Sequence, residues 1–401
     1  MTIELLLDEI AANPDDDEPR LVWADAVGGE RGELVVIQCA LARGGLPRDT
    51  AIAYRKRERE LLASHAKTWN RALENVASHP EYRRGFAERA YIDVDTFTTT
   101  ADALFAIEPA LRDIRLSGLK PHDGSEDDLL ARLSHVLVHP SFAKVTGLHF
   151  YEVGRVFEPD NELDWAEFHP CGGRAVELLL ETNAFEHLHT FAIEKSAVAS
   201  RELVALANAP QIHHLRHLEI GQQHTSDYRY DTKTGVRAII ESPHLTQLDT
   251  LDLEEVFEDL TLLQHPRMAG LRSLDITRCR LEHLTDALVA APFTRLARLR
   301  SSGAIEFDRL GSAPGMRHLE ELSYSSELGR ALSPEMVDDI ARASFPALKV
   351  LRIDTYGLSL DVARTIVTSP LAQQLEVLDL GIEGRSDFVS ELAGLFDGIL
   401  T

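Results

Sequence analysis

Cysteine is scarce in this chain of 401 residues: Cys39, Cys171 and Cys279 stand far apart and are odd in number. That excludes a disulfide framework. Long apolar runs are missing too, since nothing approaches the roughly 18 uninterrupted apolar residues that a membrane-spanning helix needs. The opening residues, MTIELLLDEIAANPDDDEP, carry acids where a secretory leader needs positive charge. A soluble, cytoplasmic protein is the expectation. Positive charge is in deficit as well, with 41 Lys and Arg against 65 Asp and Glu and a formal net charge of -24. Such a balance repels a phosphate backbone and gives no hold on an anionic membrane, so neither general nucleic-acid binding nor membrane binding is expected. The dense basic run from Arg55 to Arg59 is interrupted by Glu58 and reads as a solvated helix face.

Signatures of chemistry are equally sparse. There is no phosphate-binding G-x-x-x-x-G-K-[ST], no dinucleotide-binding glycine turn and no G-x-S-x-G elbow. Gly28-Gly29 follows a helical pattern and has no lysine after it, so it reads as a turn. His213, His214 and His217, with His224 following, do not match zinc-ligand spacings and read as surface histidines. His169-Pro170-Cys171 could support nucleophilic chemistry only with a third orienting group, and the sequence places none. Cys39 lies on an amphipathic helix, as a small buried hydrophobe. No catalytic residue, cofactor or metal is expected.

What is present is apolar material in a regular pattern: 44% of residues are hydrophobic and 26% charged. Residues 3–12 place Ile3, Leu6, Leu7, Ile10 and Ala11 at helical spacing, and Asn13-Pro14 stops them. The acids Asp15 to Glu18 read as a solvated turn. A second helix over 19–27 has Pro19 in its first turn. Gly28, Gly29 and Gly32 break it, and a third helix over 33–42 carries Val36, Ile37, Ala40 and Leu41. About 45 residues cannot hold a good core alone, so this helical piece should dock on something. A longer helix is expected over 50–75, with Ile52, Leu61, Leu62, Trp69 and Leu73 on its apolar side.

From about residue 86 an L-x-x-L-x-L motif recurs. It reads LRDIRL at 111–116, VTGLHF at 145–150, LHTFAI at 188–193 and LRHLEI at 215–220. It continues as LDTLDL at 248–253, LRSLDI at 271–276, LARLRS at 296–301, LEELSY at 319–324, LKVLRI at 348–353 and LEVLDL at 375–380. A weaker copy, AERAYI at 87–92, opens the array. The starts at Leu248, Leu271, Leu296 and Leu319 lie 23, 25 and 23 residues apart. Between motifs stand short amphipathic helices stopped by proline, such as LVALANAP at 203–210 and VARTIVTSP at 362–370. Each unit is therefore strand, turn, helix and proline stop. Stacked, the units predict an α/β solenoid: a curved parallel sheet with short helices on the convex side, preceded by a small all-helical domain. The long gap between Val145 and Leu188 must hold an excursion, the acidic 152–173 loop. Phe388 to Leu400, with Leu392, Leu395, Phe396 and Ile399, predicts a capping helix. The expected domains are 1–45, a linking helix and cap at 46–85, the solenoid at 86–385 and the cap at 386–401.

The array over 111–380 resembles bacterial leucine-rich repeats. Cys279 sits where that family has Asn or Cys facing the turn, but Leu119, Val153, Gln223, Val256 and Glu383 occupy the place elsewhere. The asparagine ladder is therefore largely absent. The N-terminus resembles the repeat-companion domain found before leucine-rich repeats in proteins of myxobacteria and planctomycetes. The matching stretches are Leu6, Ile10, Asn13 to Asp17, Pro19 to Asp25, Arg31 to Glu33, Ile37 to Cys39, and Leu41. Ala26 to Glu30 is shorter than the family's pattern and lacks its second tryptophan. The resemblance implies architecture and a scaffolding or recognition role, not an activity.

Read in the L-x-L register, the outward residues of the concave face include Glu194, His217, Glu219, Asp252, Glu254 and Asp275. Arg298 and Arg300 then switch the sign, and Glu321, Arg352, Asp354 and Asp379 follow. Acids in adjacent strands lie roughly 5 Å apart and repel, so they need solvation or a cationic partner. The expected function is non-catalytic protein–protein interaction, as a module or scaffold, with a partner of basic or mixed charge. The 152–173 loop, with Trp165, Phe157 and Phe168, is a second candidate surface. The alternatives are a substrate-recruiting or regulatory subunit of an enzyme complex, a hydrolase or ligase using His169 and Cys171, and a self-assembling array.

Overall fold

The computed structural model describes residues 2–401 apart from 120–124, 152, 154, 157–166, 169–170, 197, 222–231, 280, 327–330, 356, 383–390 and 393. It divides into two compact units, the first built on Met1–Val198 and the second on Ala199–Gln223 with Tyr230–Thr401. No helix among the described residues is long and apolar enough to cross a membrane.

The first unit opens with four helices, α1 (Ile3–Ala12), α2 (Asp17–Val27), α3 (Gly29–Arg43) and α4 (Arg48–Trp69). The acids before α2 are not a loose turn. The Asp16 carboxylate accepts the Glu18 N–H at 2.9 Å, while Asp17 and Glu18 occupy the first helical turn, where the dipole favours them. Only Gly28 separates α2 from α3. The expected three-glycine break fails at Gly32, which lies inside α3 where a Cβ would stand 2.5 Å from the Ala24 carbonyl oxygen. That glycine permits close helix packing rather than a turn. α4 ends at Trp69 and passes into a 3₁₀ turn over Asn70–Ala72, short of the expected residue 75.

These helices dock on an antiparallel hairpin of β1 (Ser78–Arg83) and β2 (Phe86–Asp93). Leu6, Ile10, Trp23, Ala24, Val35 and Cys39 form one core with Phe86 and Ala110. Polar keys fix the fit. Arg20 is fully buried and donates to the Pro14 carbonyl at 2.8 Å and to Glu88 at 2.6 Å. Gln38 accepts the Gly85 N–H at 2.6 Å and donates to Glu58 at 2.7 Å. The Arg31 guanidinium lies 4.9 Å from the Trp69 ring and 4.6 Å from that of Tyr82.

Parallel repeats follow. Beyond α5 (Val94–Ile107), β2 pairs with β3 (Asp113–Ser117). α6 (Glu126–Leu137) leads to β4 (Gly147–Tyr151), which pairs with β3. A two-stranded ribbon of β5 (Arg155–Val156) and β6 (Glu167–Phe168) projects after it. α7 (Cys171–Glu181) and β7 (Thr190–Glu194) complete the unit, β7 pairing with β4. The tail of the expected loop is thus helical from Cys171 onward.

The second unit repeats the plan through α8 (Ser200–Asn208), β8 (His217–Gly221), α9 (Lys233–Glu241) and β9 (Thr250–Asp252). β10 (Ser273–Ile276), β11 (Arg298–Ser302), β12 (Glu321–Ser325), β13 (Val350–Asp354) and β14 (Val377–Asp379) follow, all paired in parallel. Leu218, Leu251, Leu274, Leu299, Leu322, Leu351 and Leu378 share one register position. All seven are buried, each worth roughly 1.5–3 kcal/mol of transfer free energy. Successive repeats bury each other's leucines, and the fold is leucine-rich-repeat-like on that geometry.

Two expectations are refined. The prolines do more than stop helices: Pro140, Pro210, Pro266 and Pro314 each open a 3₁₀ turn leading into the next strand. The missing asparagine ladder is replaced locally. The Cys279 thiol donates to the Leu253 carbonyl at 3.4 Å, and the Ser196 hydroxyl accepts the Val153 N–H at 3.1 Å. At the C-terminus β15 (Ile399–Leu400) pairs in parallel with β14, so these residues are strand where a helix was expected. Its Ile399 N–H donates to the Glu376 carbonyl at 2.9 Å and satisfies an edge group of β14. Residues 388–390, where that helix was to begin, lie outside the described residues.

Candidate functional site

Side chains alternate along each strand, so every repeat presents one row to the core and one outward. The outward rows of the two units differ in chemistry.

In the first unit Arg89, Asp113 and Gly147 share one position, and Tyr91, Arg115 and His149 the next. Asp113 accepts from Arg89 at 2.7 and 2.9 Å, and His149 Nε2 stands 2.6 Å from its other oxygen. Burial pushes the Asp113 carboxyl up, but the His149 and Arg89 charges overcome it and hold the group well below the usual carboxylate range. A Cβ at Gly147 would lie 2.5 Å from Asp113, so glycine makes room for this cluster. Beside it the Arg115 guanidinium stands between two phenol rings, 5.1 Å from Tyr91 and 5.0 Å from Tyr151. It donates to the Tyr91 hydroxyl and pairs with Glu194. Lys195 donates to the Tyr151 hydroxyl at 2.7 Å and lies 4.9 Å from that ring.

In the second unit Glu219, Asp252, Asp275, Arg300, Ser323, Arg352 and Asp379 occupy one register position across seven strands. His217 lies two residues before Glu219 on the same strand, its Nε2 3.9 Å from the carboxylate. Asp252 and Asp275 stand side by side. Burial and then the Asp275 charge push the Asp252 carboxyl up to about 8, against the pull of Arg300. Asp275, expected to point outward to a partner, is 5% exposed. It accepts the Thr277 N–H at 2.9 Å and pairs with Arg300 at 3.0 Å, so a turn and an internal cation occupy it. Glu254 pairs with Arg278 at 3.4 Å, and Arg352 pairs with Glu321 and lies 3.9 Å from Asp379. Arg300 of this row has a side chain 59% exposed, and Arg298 and Asp354, at other register positions, are also open to solvent. The chain therefore supplies many of the cations that its own acids need.

A carboxyl held above its unfolded value of 3.8 favours the folded state only while it keeps its proton. The Asp252 contribution is full below about pH 4 and is lost as pH rises through about 8. Asp252→Asn keeps the oxygen that accepts the Glu254 N–H at 3.1 Å and removes the charge. It should leave stability unchanged at pH 4 and raise it at pH 9, on the order of 2 kcal/mol after allowing for partial solvent contact. Urea unfolding at the two pH values measures this. Equal stability of the two proteins at pH 9 would show that the Asp252 charge carries no net penalty from its burial and from Asp275.

The remaining candidates do not converge. Trp165, Phe157 and His169 lie outside the described residues. Phe168 is in β6 and Cys171 opens α7. His213 and His214 sit in a 3₁₀ turn with rings 3.8 Å apart. No group of three or more His, Cys, Asp or Glu among the described residues is placed to hold a metal ion. Burial pushes the Cys39 and Cys279 thiols up to about 12, which makes both poor nucleophiles.

The first-unit cluster went unnoticed in the sequence except for Glu194. Its signal was there: the motif position of Glu219 in LRHLEI is that of Arg115 in LRDIRL, His149 in VTGLHF and Tyr91 in AERAYI.

No family model matches the chain, and no curated protein does. Among solved structures it is similar to the leucine-rich repeat-containing protein LegL7 from Legionella pneumophila, at 15% identity over 69% of this chain and 89% of that one, with a TM-score of 0.42. It is also similar to an internalin (inlF) from Listeria monocytogenes, at 10% identity over 78% of this chain and 82% of that one, with a TM-score of 0.29.

Proposed function

We propose that this chain is a non-catalytic protein-binding module that uses the outward rows of its parallel strands and takes a partner of basic or mixed charge. One observation carries the reading: Glu219, Asp252 and Asp275 are neighbours in register, and burial together with the Asp275 charge raises the Asp252 carboxyl even with Arg300 nearby. A lysine or arginine of a partner placed over Asp252 would supply a further cation and replace the proton. His217, Glu254, Arg298, Arg300, Glu321, Arg352 and Asp354 surround this point or extend the same rows, and Glu194 lies on the outward face of the first unit. Arg298 and Arg300 would set the register of a mixed-charge segment. The helices of residues 1–45 act in this reading as a companion domain that closes the start of the array.

The test is affinity capture from a native cell extract with wild-type chain and with a Glu219→Gln, Asp252→Asn, Glu254→Gln triple variant. These changes keep shape and hydrogen-bond acceptors while removing three charges. The expected result is loss of a partner that the wild type retains.

A further inference from the structure

We propose that the Tyr91, Arg115, Tyr151 and Lys195 cluster of the first unit is a docking surface for an acidic peptide segment of a partner protein, with the Lys195 ammonium receiving its carboxylate. The argument begins with charge. Arg89 and Arg115 on this face each have a carboxylate, Asp113 and Glu194 respectively. Lys195 differs: among the described residues its ammonium is held by the Tyr151 hydroxyl and ring, with no carboxylate at ion-pairing distance. An ammonium has three N–H donors, and Tyr151 takes one. In a chain of net charge -24, a cation that no described carboxylate pairs on this face is a position where a partner's acid fits.

Backbone geometry supports this. Lys195 follows β7 with φ +48, in the left-handed region that lysine seldom adopts. That turn lays its side chain back over Tyr151 of the neighbouring strand. The Tyr91 and Tyr151 rings are braced by the guanidinium between them. Rigid tyrosine and arginine side chains give up little freedom on binding, and these residue types dominate interface energetics.

The inference rests on the reading that outward faces bind protein, but it does not need the second-unit carboxylates. Fluorescence anisotropy of a labelled hexaglutamate peptide, titrated with the full chain at low salt, tests it. Wild type should bind, Lys195→Met should bind about tenfold more weakly, and Lys195→Arg should retain most of the affinity. The Glu219→Gln, Asp252→Asn, Glu254→Gln variant should bind at least as well as wild type, which separates this site from the other. Absence of wild-type binding would overturn the proposal. So would equal binding by Lys195→Met, or equally effective competition by a hexathymidylate oligonucleotide.

Discussion

Replacing Arg20 with methionine should destabilise the protein by about 3–5 kcal/mol, because it takes a fully buried cation away from two backbone carbonyls and from the half-buried Glu88. Arg20 has no exposed surface, and it ties α2 to the Pro14 carbonyl, to the Arg84 carbonyl at 3.3 Å and to Glu88. Burial already raises the Glu88 carboxyl above its ordinary value, while Arg20 and Arg84 pull it down. Without Arg20 the folded-state value climbs further. A carboxyl raised on folding stabilises fully only below its unfolded value of about 4.3 and loses that contribution as pH rises. The deficit of the variant should therefore be larger at pH 8 than at pH 5. Adding Glu88→Gln should recover a substantial part of it at pH 8. Urea unfolding of the three proteins at both pH values measures the effect. A deficit below 1 kcal/mol at pH 8 would mean that the docking of the helices does not depend on this pair.

Gly85→Ala should cost a comparable amount, roughly 2–5 kcal/mol, through two additive strains. Gly85 makes the turn between β1 and β2 with φ +84, where an L side chain is disfavoured by about 1–2 kcal/mol. A Cβ there would also meet Val35 of α3, lying 2.8 Å from its Cα and clashing with Cγ2. Val35 is fully buried in the core that joins the helices to the hairpin. Adding Val35→Ala removes the Cγ2 clash and leaves the 2.8 Å contacts with Cα and Cβ, so it should restore only part of the loss. Thermal unfolding of the single and double variants distinguishes this outcome from full rescue, which would place the cost in side-chain packing alone.

The repeat was legible because its signal is physical and local. An L-x-L strand must bury alternate residues, so Leu218, Leu251 and Leu274 announce their register without reference to anything distant. The same alternation put Glu219, Asp252 and Arg300 at one register position. It failed at Asp275, because period-2 reasoning says which way a side chain leaves the strand and not what covers it. Thr277 and Arg300 cover it, and their approach depends on turn geometry and on the neighbouring repeat. Gly32 was misread for a related reason: a helical glycine packed on Ala24 and a helix-breaking glycine look alike until the partner helix is placed. The hairpin strand SHPEYR, with its proline and charges, carried no strand signal of its own and exists because β2 pairs with it. The first-unit cluster was readable by the rule already in hand.

The most direct measurement is the affinity of wild type and the Glu219→Gln, Asp252→Asn, Glu254→Gln variant for the partner recovered by capture, once that partner is purified. The account predicts at least tenfold weaker binding by the variant, about 1.4 kcal/mol, with proton release on wild-type binding at pH 7 that the variant lacks. Equal affinity and equal proton release would contradict it.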